Sequence, residues 1–449
     1  MSRYAVRNLW FPMLLLLLLP AVAWCADGAG LVRDLPPGLQ VPAAAQPGPG
    51  FDVDRATKAY LDLLSPEQRA RSDAYFEGGY WLLLWSFLYS TATAALLLFG
   101  GWSKRMRDAA QHRVRWRWLS TALYAAMWLV AVQVIGLPWA YYTDFVREHA
   151  YGLSTQTVGA WFGDAMKGFL VSLLILPLVV AGLYALLRRA GARWWLYAGM
   201  AGCAFILFAS MLAPVYVSPL FNKYQPLPPG ETRDAIMSLA RANRIPTEHV
   251  EWFDASRQTT RISANVSGFA GTTRVNLNDN LLKKTSLPEI KAVMGHEMGH
   301  YVLNHGLRLT IYMSLLMTFG FWFVHATFGW AQRRWGARIG VESIADPAGL
   351  PLFAALFGLF FFLATPVSNS IVRQAEAEAD AYGLNAAGEP HGFATAAMRL
   401  STYRKIHPGH WEEIVFYDHP SGYDRVHRSM EWAKEHPQSG AAAKPAHTP

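Results

Sequence analysis

Six stretches of the sequence are apolar over about 20 residues, the length that an α-helix needs to cross the hydrocarbon core of a bilayer. Short polar loops separate them, except that one long polar segment follows the fourth stretch and another follows the sixth. Because a helix satisfies its own backbone hydrogen bonds in lipid, the pattern predicts a mainly helical protein that crosses a membrane several times. The six stretches are 80–100, 119–141, 169–187, 194–217, 309–330 and 350–371.

The beginning of the chain has a different pattern. Arg3 and Arg7 precede a short apolar run, and small residues follow at 21–23. This order predicts a signal peptide over 1–26. The alternative is an uncleaved first membrane helix, which would raise the number of spans from six to seven.

Residues 27–76 are expected to form a linker and an interfacial helix. Residues 27–50 are rich in Pro, Gly and Ala, with too few large apolar side chains to fold, whereas 51–76 have helical spacing. The pattern then divides the rest of the chain into membrane and polar parts. These are 77–217 with four membrane helices, the polar segment 218–308, 309–371 with two membrane helices, the polar segment 372–432 and a disordered tail over 433–449.

The composition agrees with a membrane protein and excludes other classes. Charged residues make up 16% of the chain and hydrophobic residues 52%, whereas soluble globular proteins have about 25% charged residues. The net charge of +8 does not indicate nucleic acid, because many basic residues lie in short loops beside apolar stretches. The 2 cysteines exclude a disulfide framework and a cysteine-based zinc site. The expected partner is therefore the lipid bilayer, and no nucleic acid is expected.

The first long polar segment contains a metal-binding motif. His296, Glu297 and His300 form an HExxH sequence within KAVMGHEMGHYVLNH. Two histidines four residues apart lie on one face of a helix and can bind one metal ion, and the glutamate can take a proton from water. The longer HExxHxxGxxH motif is excluded, because Gly306 stands where its third histidine would be. His305 lies one residue away and is expected to support the site from outside or to be structural.

The third ligand is expected from the second long polar segment, in the sequence SNSIVRQAEAEADAYG. Glu376 and Asp380 are four residues apart on one helix face, which suits Glu376 as a ligand and Asp380 as the group that orients a ligand histidine. Glu378 points away from that face and is the weaker candidate. A solvated, acid-rich helix is the alternative interpretation. The expected cofactor is one Zn²⁺ per chain, bound by His296, His300 and Glu376.

Six stretches, taken in order and with their spacing, match a known family. They are PWAYYTDFVREHAYGLSTQTVG at 138–159, APVYVSPLFNKYQPLPPGE at 213–231, SANVSGF at 263–269, GHEMGHYVLNH at 295–305, RQAEAEAD at 373–380 and DHPSGYDR at 418–425. From Phe76 to Trp432 the sequence resembles the type I CAAX prenyl endopeptidases, membrane zinc metallopeptidases of the a-factor-converting family.

The resemblance implies a fold and several residue roles. The implied fold is mainly α, a membrane helical barrel of six or seven transmembrane helices around a water-filled chamber, with a gluzincin-like zinc site and a small edge-strand element. Asp380 is implied as a proton donor or as an outer-shell group of the metal. Asn265 is implied to pair with the substrate backbone along the edge strand, and His419 and Arg425 to contact substrate or the developing oxyanion.

We therefore expect an integral membrane zinc metalloendopeptidase that hydrolyses membrane-associated or exported peptide and protein substrates, similar to the CAAX prenyl proteases. Two alternatives remain. One is a membrane-stress quality-control protease of the short HExxH type, which lacks the long helical array of this chain. The other is a catalytically inactive membrane scaffold or transporter.

The charges of the short loops predict the orientation. Loops 101–117, 188–193 and 331–348 contain six, three and three Lys or Arg residues, whereas loop 142–168 contains two. The positive-inside rule places the first three loops in the cytoplasm, and a signal at the N-terminus agrees. We therefore expect a multi-pass protein of a bacterial inner membrane with a periplasmic catalytic face. This orientation departs from the family, whose prenylated substrates are cytosolic.

Overall fold

The computed structural model describes residues 35–268 and 273–437. The signal peptide or first membrane helix expected over 1–26 lies outside these residues, as does most of the expected disordered tail. Helices dominate the described chain, and a small sheet accompanies them. The expectation of a mainly helical membrane protein is confirmed.

Long apolar helices form the membrane part. Among the described residues, five helices are long and apolar enough to cross a bilayer, and a helix pair bent by 55° can supply a sixth span. Each contains one of the predicted apolar stretches. The five are Pro66–Phe99, Arg117–Ala150, Val158–Arg189, Gly191–Leu220 and His305–Ile339, and the bent pair is Pro347–Leu363 with Thr365–Ala387.

The outer faces of these helices remain apolar. Leu174 is 73% exposed and Met200 is 63% exposed. Apolar surface left in water would cost about 25 cal/mol per Å², so these faces suit lipid. Where the helices meet, they pack an aromatic-rich core that includes Trp194, Tyr184 and Phe328.

The polar part contains a four-stranded sheet with the strand order β1-β2-β4-β3. β2 and β4 are parallel, and the other two pairings are antiparallel, so β3 lies at the edge of the sheet. The strands are β1 (Tyr224–Pro226), β2 (His249–Phe253), β3 (Ala264–Ser267) and β4 (Arg274–Asn278). The shorter helices are Val53–Leu61, Trp102–Arg113, Glu231–Ala242, Asp279–Lys284, Leu287–Val302, Pro390–Leu400, His410–Phe416 and Gly422–Glu435.

The helix Leu287–Val302, here the HExxH helix, packs on the sheet through the face opposite its histidines. Met294 and Met298 are fully buried in one cluster with Val275 and Leu277 of β4. Since residues two apart on a helix point in nearly opposite directions, this packing turns His296 and His300 away from the sheet. The apolar residues around the motif thereby fix the direction of its polar face.

The HExxH helix crosses Thr365–Ala387, here the Glu376 helix, at close range. A Cβ atom on Gly383 would lie 2.7 Å from the backbone nitrogen of His296, and one on Gly295 would lie 2.9 Å from the carbonyl oxygen of Gly383. Only glycine permits such an approach of two backbones. The short side chain of Asp380 can therefore reach the HExxH helix.

The N-terminal part of the described chain packs on the polar part, although its composition favoured a linker. Leu35, Ala45 and Tyr60 are buried in a cluster with Met398 and Met430. The helix Val53–Leu61 begins at Asp52, whose side chain accepts a hydrogen bond from the backbone at the first turn. Residues 35–62 are thus part of the folded protein.

A buried arginine holds this segment. The Arg399 guanidinium donates to the carbonyl oxygens of Leu35, Pro36 and Gly38, and it pairs with the fully buried Glu289 at the start of the HExxH helix. Composition does not reveal such contacts, because every residue offers a backbone carbonyl whatever its side chain.

Candidate metal centre and active site

The two histidines of the HExxH motif lie side by side. The HExxH helix begins with a capping box between Ser286 and Glu289, and a proline stands in its first turn. On its polar face the Nε2 atoms of His296 and His300 are 3.1 Å apart. Both rings therefore present a nitrogen to the same point.

Glu376 directs its carboxylate at both histidines. Its Oε2 lies 3.3 Å from Nε2 of His296, and its Oε1 lies 3.4 Å from Nε2 of His300. Tetrahedral zinc with bonds of about 2.0–2.1 Å requires ligand atoms about 3.3–3.4 Å apart. The three residues therefore fit zinc, and they are the one such cluster within residues 35–268 and 273–437.

His296 is supported by a buried carboxylate. Its Nδ1 lies 2.8 Å from Oδ1 of Asp380, which is fully buried. The Arg425 guanidinium contacts Asp380 at 3.0 Å and Glu376 at 3.2 Å. Burial by itself lowers the pKa of His296, but Asp380 and Glu376 raise it to about 10. An environment that favours a proton on this ring also favours a metal cation beside it.

His300 has a different neighbour. Its Nδ1 lies 2.9 Å from Nδ1 of His305, whose Nε2 is 3.3 Å from Oε2 of Glu378. Arg308 donates to the same carboxylate oxygen at 2.6 Å. The structure thus places Glu376 at the two motif histidines and Glu378 away from them.

A cavity of about 190 Å³ opens beside these residues, and Glu297 lines it together with His296, Glu376 and Asp380. Burial raises the pKa of Glu297, whereas the neighbouring histidines oppose this effect. A carboxylate with a raised pKa is a better proton acceptor than an ordinary one. Glu297 therefore lies where a carboxylate can exchange a proton with a group in this cavity.

His419 lines the same cavity from the C-terminal segment. Its Nε2 lies 3.3 Å from Oε2 of Glu376, and its Nδ1 forms a 2.7 Å hydrogen bond with Asp418. Burial lowers the pKa of His419, the positive charge of Arg404 adds to this effect, and Asp418 opposes it. The ring of His419 is thus held at the edge of the group of possible metal ligands.

Two predicted residues remain, Arg425 and Asn265. Arg425 lies behind the carboxylates of the proposed metal site, and Asn265 lies on the sheet. Arg425 is 8% exposed and directed at Asp380 and Glu376 rather than at open space. Asn265 lies on β3, where its side-chain oxygen accepts a hydrogen bond from Asn276 at 3.0 Å. Its strand neighbour Ala264 reaches the cavity.

Sequence reasoning missed part of the cavity wall. Phe393, Leu400, Tyr403 and Arg404 line it, but they belong to no motif, and their position depends on how the helix Pro390–Leu400 packs. A larger space of about 800 Å³, which also includes residues of the membrane helices, shares Tyr403 and Arg404 with this cavity. The smaller cavity thus adjoins a chamber between the membrane and polar parts.

Two family models together match nearly all of the described chain. The model for the CAAX prenyl protease N-terminal region with five membrane helices matches residues 53–223. The model for peptidase family M48 matches residues 226–439. The boundary between them falls where the fourth membrane helix gives way to the sheet.

Individual proteins match over most of their length. The uncharacterized metalloprotease YhfN of Bacillus subtilis is 31% identical over 76% of this chain and 81% of its own. The CAAX prenyl protease 1 homolog of Oryza sativa is 28% identical over 69% of this chain and 72% of its own. The crystal structure of S. mikatae Ste24p superposes with a TM-score of 0.69 at 21% identity, covering 84% of this chain and 94% of that one.

Proposed function

The chain belongs to peptidase family M48 as a membrane zinc metalloendopeptidase of the CAAX prenyl protease 1 group, and we propose that His296, His300 and Glu376 bind its single zinc ion. The observation that supports this assignment is the close grouping of the ligand atoms: the two Nε2 atoms are 3.1 Å apart, and the two Glu376 carboxylate oxygens lie 3.3 Å from the first and 3.4 Å from the second. Three protein ligands would leave room for water or substrate at the metal, as a catalytic zinc site requires.

Glu297 is the proposed general base and acid. A zinc ion held by these residues would polarise a peptide carbonyl and would lower the pKa of water to about 7. The Glu297 carboxylate adjoins the metal ligands in the cavity, so it can accept the proton of the attacking water and return it to the leaving amine. Asp380 is proposed to orient His296 and, as an alternative, to donate a proton to the leaving group.

His419 and Arg425 are proposed to manage negative charge. Nε2 of His419 lies at the edge of the metal cluster, where it can donate to the carbonyl oxygen of a bound substrate as charge develops there. Arg425 neutralises Glu376 and Asp380, which would otherwise repel each other and the oxyanion. Its effect on substrate is therefore exerted through these carboxylates.

Substrate is proposed to bind as an extended peptide along β3. Among the described residues this strand has one partner, β4, so its other edge offers backbone donors and acceptors. Ala264 of the strand lines the cavity, which brings an added peptide strand past the metal ligands. Asn265 contributes a polar contact at this edge.

The proposed substrates are membrane-associated or exported peptides and proteins, and the proposed location is a bacterial inner membrane with the catalytic face in the periplasm. The loop charges support this orientation: six, three and three Lys or Arg residues against two on the other side. Several similar proteins are CAAX prenyl protease 1 homologs, so cytosolic lipidated proteins are the competing substrate class.

The purified full-length chain tests the activity. Zinc content should approach one per chain, and an unstructured amphipathic peptide should be cleaved until a chelator removes the metal. Added zinc should restore cleavage, whereas cleavage that persists without metal would contradict the proposal.

Reporter fusions test the orientation. Alkaline phosphatase fused after Trp432 should be active, and a cytoplasmic fluorescent protein fused there should be dark. Bright fluorescence with inactive phosphatase would place the catalytic face in the cytosol and favour the competing substrate class.

A further inference from the structure

His305 is a buried histidine outside the HExxH motif, at the first position of the membrane helix His305–Ile339. It is 1% exposed. The preceding Asn304 has a left-handed backbone with φ of 54°, a conformation that asparagine tolerates better than most residues. This turn folds the start of the membrane helix back against the HExxH helix, so that His305 lies beside His300.

The contacts of His305 determine where its proton lies once His300 binds a metal. Two Nδ1 atoms at 2.9 Å form a hydrogen bond only if one carries a hydrogen and the other a lone pair. A metal-bound His300 uses the lone pair of Nε2, so its hydrogen is on Nδ1. His305 then accepts at Nδ1, and its own hydrogen lies on Nε2, facing Glu378.

We propose that His305 is a positioning residue of the zinc site, which holds His300 in the metal-binding tautomer and ring orientation through its hydrogen bonds to His300 and Glu378. Arg308 fixes the Glu378 carboxylate at the far end. This inference rests on the proposed role of His300 as a ligand. It adds His305, Glu378 and Arg308 to the residues that support the site. Both ring nitrogens of His305 are occupied in this arrangement, so His305 is not itself a zinc ligand.

A buried histidine can also be a purely structural residue, and this chain contains a matched control. His391 is 6% exposed and forms a 2.9 Å hydrogen bond with Tyr60, away from the metal cluster. Removal of either ring leaves a hole in the same polar part of the protein. Only the removal of His305 is expected to change the affinity for zinc.

The test measures zinc affinity by competition with a chelator on the full-length chain in detergent. Outer-shell partners of metal ligands typically change affinity or activity by about 10- to 100-fold, so H305A should weaken zinc binding by that factor. H391A should stay within about twofold of the parent, whatever its stability. H305Q should recover most of the affinity, because an amide can accept from His300 and donate to Glu378.

A second variant covers the case in which H305A does not fold. The Glu378 side chain is 35% exposed, so E378A should fold, and we expect weaker zinc binding because Nε2–H of His305 loses its acceptor. Parent-like affinity in H305A or E378A would overturn the proposal. H300A distinguishes failure of the ligand assignment from failure of the positioning role. If H300A retains zinc, His300 is not a ligand. If H300A loses zinc while H305A keeps it, only the positioning role of His305 is wrong.

Discussion

The two histidines of one motif have different surroundings. His296 contacts a carboxylate directly, and that carboxylate, Asp380, is fully buried and paired with Arg425. His300 contacts a neutral ring, His305, which leads to the more exposed Glu378. Both chains of contacts end at an arginine, but only the first places a negative charge against the ligand ring. We infer that His296 is the more basic ligand.

The difference arises from the Glu376 helix. Asp380 lies one turn after Glu376 and on the same face, and the glycine contact between the helices brings its short side chain to His296. Glu378 lies on another face of the helix. It contacts His305, and His305 contacts His300. Two acids of one helix thus support two ligands of another at different distances.

Removal of a zinc ligand should have the largest effect on zinc binding and hydrolysis, because without the metal neither histidine environment has a ligand to support. H296A, H300A and E376A should each lose bound zinc and all measurable hydrolysis, since two protein ligands make a weak site. Metal analysis of the purified variants and a peptide-cleavage assay would measure both. Full zinc in E376A together with loss of zinc in E378A would show that Glu378 is the third ligand.

Glu297→Gln should distinguish zinc binding from proton transfer. Both histidines and their partners are unchanged, so zinc should be retained, whereas hydrolysis should fall by about 10²- to 10⁴-fold because the general base is lost. Zinc content and cleavage rate measured on one preparation give the answer. Cleavage at the parent rate would assign the base to another residue.

Asp380→Asn should show how much the direct carboxylate contributes. The variant keeps the size of the side chain and loses its charge, so activity should fall by about 10- to 100-fold while the protein still folds and inserts. The same assay on E378Q provides the comparison. An unchanged rate in D380N would remove Asp380 from the site, and a larger effect in E378Q would reverse the order of the two supports.

The acid limb of the pH–rate profile should report Glu297, because zinc occupies the ligand nitrogens. Burial raises the pKa of Glu297 in the metal-free site, whereas a bound cation would lower it. A base acts only when deprotonated, so activity should fall as pH decreases through the pKa that Glu297 has in the zinc-loaded enzyme. A profile of kcat/KM measured below neutrality checks this, and an acid limb that is unchanged in Glu297→Gln would contradict it.

Glu378→Gln should have the smallest effect. The amide oxygen can still accept from Nε2–H of His305. The side chains of the Arg308 pair are 33% and 35% exposed, and ion pairs near the surface contribute about 0.2–1 kcal/mol. Zinc affinity should thus change by a factor of about 5 or less. A larger loss would mean that the negative charge of Glu378 acts through the His305 ring.

Much of this molecule could be predicted from periodicity and short motifs. The apolar stretches gave the described membrane helices, and the expected class of membrane zinc endopeptidase is confirmed. Matches along both the membrane and the polar parts leave no basis for the short protease or the inactive scaffold. These features are readable because each depends on residues close together in the chain.

The remainder depends on contacts between distant residues. His305 lies outside every motif spacing, and its direction is set by the left-handed Asn304 and by the crossing of two helices. The N-terminal segment is held by Arg399 through backbone oxygens, which no side-chain pattern records. Such contacts become visible only once the tertiary structure is known.

Both helices that supply the proposed zinc ligands are joined directly to apolar helices. The HExxH helix ends at Val302 and the candidate span His305–Ile339 follows it, whereas Glu376 lies about 18 Å along its helix from the bend at Ala364. The distance between the proposed zinc ligands and the adjoining apolar helices is therefore set by helical geometry. The site cannot shift along those helices unless one of them bends or breaks.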